Sequence, residues 1–251
     1  MNINQKRKGD IMNNIKIKEA AEAVIKDNPK KRILSFPWNH SVHWIKRKIS
    51  NGRSRLVKYS TEKEFNYEVA RLSIAAQVQP SLVPSLEVLT SDYIVTEDGG
   101  PILADWVEST HISQEEKLHI LELAGKGLAE LHTSGIVHGR PALRDITYKN
   151  GQITFLDWQN RFYFRNAEDR KVQDYLMLLH GIYRENYKDE NLFIDAVQKG
   201  YTDTAGTDII KLSKQLLDRY NFIGILAKNV RRFHWTDVDA AGKIFARFAE
   251  R

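Results

Sequence analysis

The spacing of apolar residues changes along this chain, and each change marks an element. "IKIKEAAEAVIKDNPK" has helical spacing and ends at Asn28-Pro29, where proline removes a donor and restricts the residue before it. "VHWIKRKI" alternates β-branched or aromatic residues with polar ones, which predicts a strand with Trp44 and Lys46 on one face. "STEKEFNYEVARLSIAAQV" returns to a helical period, with Phe65, Val69, Leu72 and Ala76 on one stripe. "SLEVLT" and "DYIVTED" predict two strands joined by a Ser-Asp turn. Gly99-Gly100-Pro101 then stops the sheet and reads as a hinge.

Past that hinge the pattern is mainly helical. Ser113 and Glu116 form a capping box, Leu118, Leu121, Leu128 and Leu131 follow at helical spacing, and Gly135 closes the element. In "ITYKNGQITFLD", Asn150-Gly151 stands between two alternating segments and predicts a tight β-hairpin. Everything after Asp169 reads as helix, with "KVQDYLMLLHGIY" the most apolar part. Strands followed by helices predict an α+β fold with two lobes. The expected organisation is an N-terminal extension with a short helix over residues 1–32, a small strand-rich lobe over 33–100 and a helical lobe over 101–251.

Composition narrows the chemistry. Hydrophobic residues make up 42% of the chain, enough for a packed core and against general disorder. The absence of cysteine excludes disulfides, thiolate zinc sites and a cysteine nucleophile. No apolar run approaches the roughly 20 residues of a membrane helix, and "MNINQKRKGDIMNN" has no secretory apolar segment. The expectation is a cytoplasmic protein without a transmembrane segment, its location extending to the periphery of the inner membrane. The net charge of +6 gathers at "NQKRK", "NPKKR", "WIKRKISNGRSRLVK" and "NVRRFHW". Such clusters suit anionic partners, although each also reads as a solvated helix or loop face.

Phosphoryl transfer of the protein-kinase type needs a strand lysine for the phosphates and a helix glutamate to position it. It also needs oxygen ligands for Mg²⁺ and a base for the acceptor's proton. Lys46 fits the lysine better than Lys58, because "VHWIK" has the stronger strand character; Glu68 on the next helix is its partner, with Glu64 as an alternative. The catalytic pattern H-R-D-x-x-x-x-N, counted from His138 in "HGRPALRD", puts Arg140 at the base position and Asp145 at the metal-binding asparagine position. Aspartate can serve as a Mg²⁺ ligand there, whereas arginine stays protonated and cannot serve as the base. His138 reads as a buried structural residue. Asp157 in "FLDWQ" follows the hairpin and is the second metal candidate.

With these residues in view, the segment from "GLAELHTSGIVHGRPALRDI" to "ITFLDWQ" resembles the bacterial lipopolysaccharide-core kinase group. It is similar too to small kinase-like relatives: RIO-type kinases, aminoglycoside phosphotransferases and the kinase subunit of the KEOPS tRNA-modification complex. The resemblance extends over "HWIKRK", "NYEVARL" and "YIVTEDGGP", hence most of residues 33–180. It implies a two-lobed protein-kinase-like fold with ATP and Mg²⁺ in the cleft. Lys46 and Glu68 would be the ion pair, Glu97 to Gly99 the adenine-contacting hinge, Asp145 and Asp157 the metal ligands, and Asp174 the brace of the catalytic loop. Two departures stand out: "ILSFPWNHS" holds no glycine-rich loop, and Arg140 replaces the base. The expected activity is phosphate transfer to a surface-glycan sugar, small molecule or protein, with Arg140 binding the γ-phosphate or an anionic acceptor. A nucleotide-binding pseudokinase and a basic RNA-associated protein are the alternatives.

Overall fold

The structure, a computed structural model, describes residues 3–49, 61–159, 162–219 and 235–249. Lys58 and the basic stretches 50–60 and 229–234 lie outside the described residues. The chain is α+β: a small antiparallel sheet in its N-terminal part and a mostly helical remainder. It divides into two compact units at Gly99/Gly100, where the glycines and Pro101 end the strand pattern.

In the first unit, α1 (Ile3–Asp27) precedes the hairpin β1 (Ile33–Trp38) and β2 (Ser41–Arg47). α2 (Thr61–Val78), β3 (Leu86–Leu89) and β4 (Tyr93–Glu97) follow. The strands stand in the order β1-β2-β4-β3, every neighbour antiparallel. The core lies on one face of this sheet. Leu34, Phe36, Ile45, Val88, Tyr93 and Val95 bury there against Ile17 and Ala21 of α1. The expectation of a short helix in a separate extension is therefore corrected: the helix begins at Ile3, and its second half belongs to the core of the sheet.

β1 contains Pro37, which cannot donate to a ladder. The register shows why it is tolerated. Arg47 N–H bonds Arg32 O at 2.9 Å, so alternate residues Leu34, Phe36 and Trp38 turn their backbone groups toward β2. Pro37 falls between them on the open edge, where no donor is required. The turn places Asn39 and His40 at φ 46° and 66°, the pair of left-handed residues that a two-residue hairpin with matching twist needs.

The second unit begins with a short helix, α3 (Leu103–Glu108), which the apolar pattern had not indicated. α4 (Gln114–Thr133) starts where expected, since Ser113 Oγ accepts the Glu116 N–H at 3.1 Å. It ends where Gly135, at φ 78°, lets Ile136 N–H return to Leu131 O. The hairpin β5 (Ile146–Lys149) and β6 (Gln152–Phe155) turns through Asn150 and Gly151 at φ 52° and 82°. Helices α5 (Ala167–Glu185), α6 (Glu190–Ala205), α7 (Asp208–Arg219) and α8 (Trp235–Ala249) follow. α4 and α6 touch backbone to backbone: a Cβ on Gly125 would lie 2.0 Å from Val197 O, and one on Gly200 1.9 Å from Glu122 O. No helix among the described residues is long and apolar enough to cross a membrane.

Candidate functional site

The first unit holds one group of expected site residues. In β2, Val42, Trp44 and Lys46 alternate with His43 and Ile45, which face the core. Lys46 Nζ forms an ion pair with Glu68 Oε1, and the glutamate is almost wholly buried. The buried stripe of α2 is Phe65, Glu68, Leu72 and Ala75, rotated by one residue from the expected Val69 and Ala76. Burying a carboxylate in such a stripe costs several kcal/mol unless a cation meets it, and Lys46 is that cation. Glu64, the alternative partner, is half-buried on the same helix. On the same face of β2, Trp44 remains 41% exposed and donates from Nε1 to Asp98 Oδ1 at 2.7 Å. Glu97 ends β4 with its N–H bonded to Ser85 O, and Asp98 N–H bonds Val42 O, so the residues before Gly99 are fastened to the sheet through their backbone.

The second unit holds the other group, built around a loop that α5 grips from below. Asp174 is fully buried and accepts the backbone N–H groups of His138 and, at 2.6 Å, Gly139. Its Oδ2 also meets His132 Nε2 at 3.3 Å. A carboxylate only accepts, so His132 Nε2–H donates to it, and Nδ1 of the same ring lies 2.7 Å from the Tyr201 hydroxyl. Burial and the nearby Asp174 hold the Tyr201 phenol far above its ordinary pKa, which keeps it a donor. His138 is buried and structural: Nε2 donates to Leu156 O at 2.6 Å, and its ring packs against Trp158 and Phe155.

The hairpin places the two metal candidates. Ile146 pairs with Phe155, and the ladder continues one step as Leu156 N–H bonds Asp145 O at 2.7 Å. Asp145 therefore stands opposite Leu156, with Asp157 the next residue along. Asp157 has φ 61°, a left-handed backbone that non-glycine residues adopt at a cost and that aspartate tolerates better than most. Gln159 Nε2 donates to its Oδ2 at 3.2 Å. Among the described residues no three acidic or histidine side chains gather as a protein-only metal cage. Asp145 and the residue before Asp157 are thus paired across the base of one hairpin, which brings the two chain positions near each other through the backbone.

Arg140 is half-buried directly after Gly139, and its Nε is buried without a hydrogen-bond partner among the described residues. Tyr163 lies within its field: burial raises the Tyr163 pKa, and the Arg140 charge draws it partly back. Sequence reasoning missed Tyr163, the His132–Tyr201 pair and Gln173. Each is an ordinary residue type whose role depends on contacts distant in sequence.

No protein-family model matches the chain. An uncharacterized protein of Haemophilus influenzae is 30% identical over 177 residues, covering 70% of this chain and 72% of that protein. The chain belongs to the family of that protein. The relationship extends over most of both chains and carries no activity with it. The two groups of side chains must therefore be read by their own chemistry.

Proposed function

We propose that this protein is an ATP- and Mg²⁺-dependent phosphotransferase with a protein-kinase-like, two-lobed fold. The observation that carries the reading is the hairpin that pairs Asp145 with Leu156, the residue before Asp157, next to a loop braced by Asp174. The order of elements supports it: a strand with Lys46, a helix with Glu68, two further strands, then the loop and hairpin. This is the order that the resemblance to the lipopolysaccharide-core kinase group implies. Asp145 and Asp157 would hold Mg²⁺, Lys46 would neutralise phosphate charge, and Glu97 to Gly99 would supply backbone groups to the base. When bound, Mg·ATP would supply the phosphoryl group. The acceptor in this reading is a surface-glycan sugar, a small molecule or a protein.

Arg140 favours a second reading, a nucleotide-binding pseudokinase. A guanidinium can pair with a terminal phosphate or an anionic acceptor, yet it cannot take a proton. General-base catalysis contributes typically about 10²–10⁴-fold, so its loss leaves positioning and metal catalysis in place. Titration of ATP with and without Mg²⁺, followed by an assay for γ-phosphate loss, tests both readings. Metal-dependent binding that Asp157→Ala abolishes is expected for either. Phosphate loss above the background of the Asp157→Ala variant separates the enzyme from the pseudokinase. Binding that is equal in EDTA and indifferent to Asp157→Ala overturns both.

A further inference from the structure

Gln173 sits beside Asp174 on α5, is 1% exposed, and spends its side chain on two other segments. Its Nε2 donates to Gly139 O at 3.0 Å, while its Oε1 accepts the backbone N–H of Tyr163 at 3.1 Å. The amide has one sensible orientation, since a carbonyl needs the NH₂ and an N–H needs the oxygen. Gly139 is thereby held at both polar groups, its N–H by Asp174 and its carbonyl by Gln173. Its φ of 102° is a conformation for glycine, so the peptide leading into Arg140 has a fixed direction. The other end of Gln173 fastens the segment that follows Asp157. Arg170 adds to that anchorage, its Nε donating to Phe164 O at 2.7 Å and its guanidinium lying over the Phe162 ring.

We infer that Gln173 is a positioning residue, the link that holds the Arg140 loop and the segment after Asp157 in one fixed relation. The inference rests on the proposed reading of Asp145 and Asp157 as a metal–nucleotide site, and it deepens that reading. Methionine at this position keeps the length and volume and removes both hydrogen bonds. Glutamate keeps the acceptor for Tyr163 at every pH, but offers a donor to Gly139 O only when protonated. Burial beside Asp174 raises the pKa of such a glutamate, which brings its protonation into a usable range.

The test uses the full chain and two readouts, each followed from pH 5.5 to 8.5 beside wild type. The neighbours His132, His138, Arg140, Tyr163, Arg170 and Asp174 are common to all three proteins, so variant-to-wild-type ratios remove their contribution. The first readout is amide exchange. In Gln173→Met the Tyr163 N–H is expected to exchange at least about tenfold faster while interior amides of α5 keep their protection, as fits loss of one local anchor. The second is Mg·ATP affinity, expected to fall at least about threefold in Gln173→Met, because the loop and the segment after Asp157 lose their common anchor. Gln173→Glu should recover toward wild type at low pH and fall toward Gln173→Met at high pH. A packing role alone instead leaves Gln173→Met close to wild type in both readouts, since methionine keeps the length and volume. Unchanged Tyr163 exchange in Gln173→Met, or equal and pH-independent losses in both variants, overturns the inference. Absence of metal-dependent ATP binding in wild type overturns the site reading instead, and the exchange measurement still judges the link.

Discussion

Removing the Asp174 carboxylate tests whether the candidate loop depends on one buried group. Three donors converge on it: the N–H groups of His138 and Gly139 and the Nε2–H of His132. Alanine leaves all three without this acceptor, at a site that is 0% exposed. A buried donor left unsatisfied costs about 1–3 kcal/mol, so the gross loss is about 3–9 kcal/mol. Relief from burying the carboxylate offsets part of this, and removing one member of a buried charged set typically costs about 3–5 kcal/mol. Asp174→Ala should therefore lose about 3–5 kcal/mol, a large share of the 5–15 kcal/mol that such domains typically possess. Asparagine retains one acceptor oxygen and turns an NH₂ toward another donor, so Asp174→Asn should fall between alanine and wild type. Urea unfolding followed by circular dichroism measures both through the midpoint and slope. A loss below about 1 kcal/mol for Asp174→Ala, with unchanged slope, would show that water or loop rearrangement satisfies these donors and would refute the reasoning.

Gly200→Ala should destabilise by at least about 2 kcal/mol, because the new Cβ would stand 1.9 Å from Glu122 O and overpacking typically costs 1–3 kcal/mol or more. A urea midpoint equal to or above wild type would contradict the close contact of α4 with α6. His180 gives a pH dependence: burial first, with the Arg184 charge adding to it, lowers its pKa against the pull of Asp237, whose carbonyl it meets at 3.2 Å. A depressed histidine pKa favours the neutral folded form. The associated stability is thus fully present above the unfolded value of about 6.5 and is lost as pH falls from there through the folded value. His180→Gln should flatten the stability profile as pH falls below about 6.5, and parallel profiles for the two proteins would count against this assignment.

Local chemistry made much of the fold legible. The Ser113 cap, the Gly135 stop and the Asn150-Gly151 turn each depend on a few adjacent residues, and all three stand where the sequence placed them. What escaped was set by distant partners. β1 was not assigned, and its Pro37 fits a strand only on an open edge, which becomes evident once β2 is known to pair on the other side. α1 extends to Ile3 through residues with little apolar periodicity. The α2 stripe was displaced by one residue because Glu68 counts as polar in any hydrophobic pattern, and its burial depends on Lys46 in another element. The loop was legible through its spacing, whereas Gln173 was not. Nothing local shows that a glutamine's amide will span two segments distant from its own helix.

That difference bears on how Arg140 should be understood. The supports of its loop act on backbone groups: Asp174 on two N–H groups, Gln173 on the Gly139 carbonyl, and His138 on the Leu156 carbonyl. None of them needs an acid at position 140. An arginine there leaves the brace, the hairpin and the two carboxylates intact, and in the proposed reading it stands where a proton acceptor would. Under the proposed function, the scaffold and the proton acceptor are thus separable. Metal and nucleotide binding would follow from Asp145 and Asp157, and transfer would follow from whether the acceptor can lose its proton elsewhere. The enzyme and pseudokinase readings therefore share every binding expectation and part only at the measurement of phosphate leaving ATP.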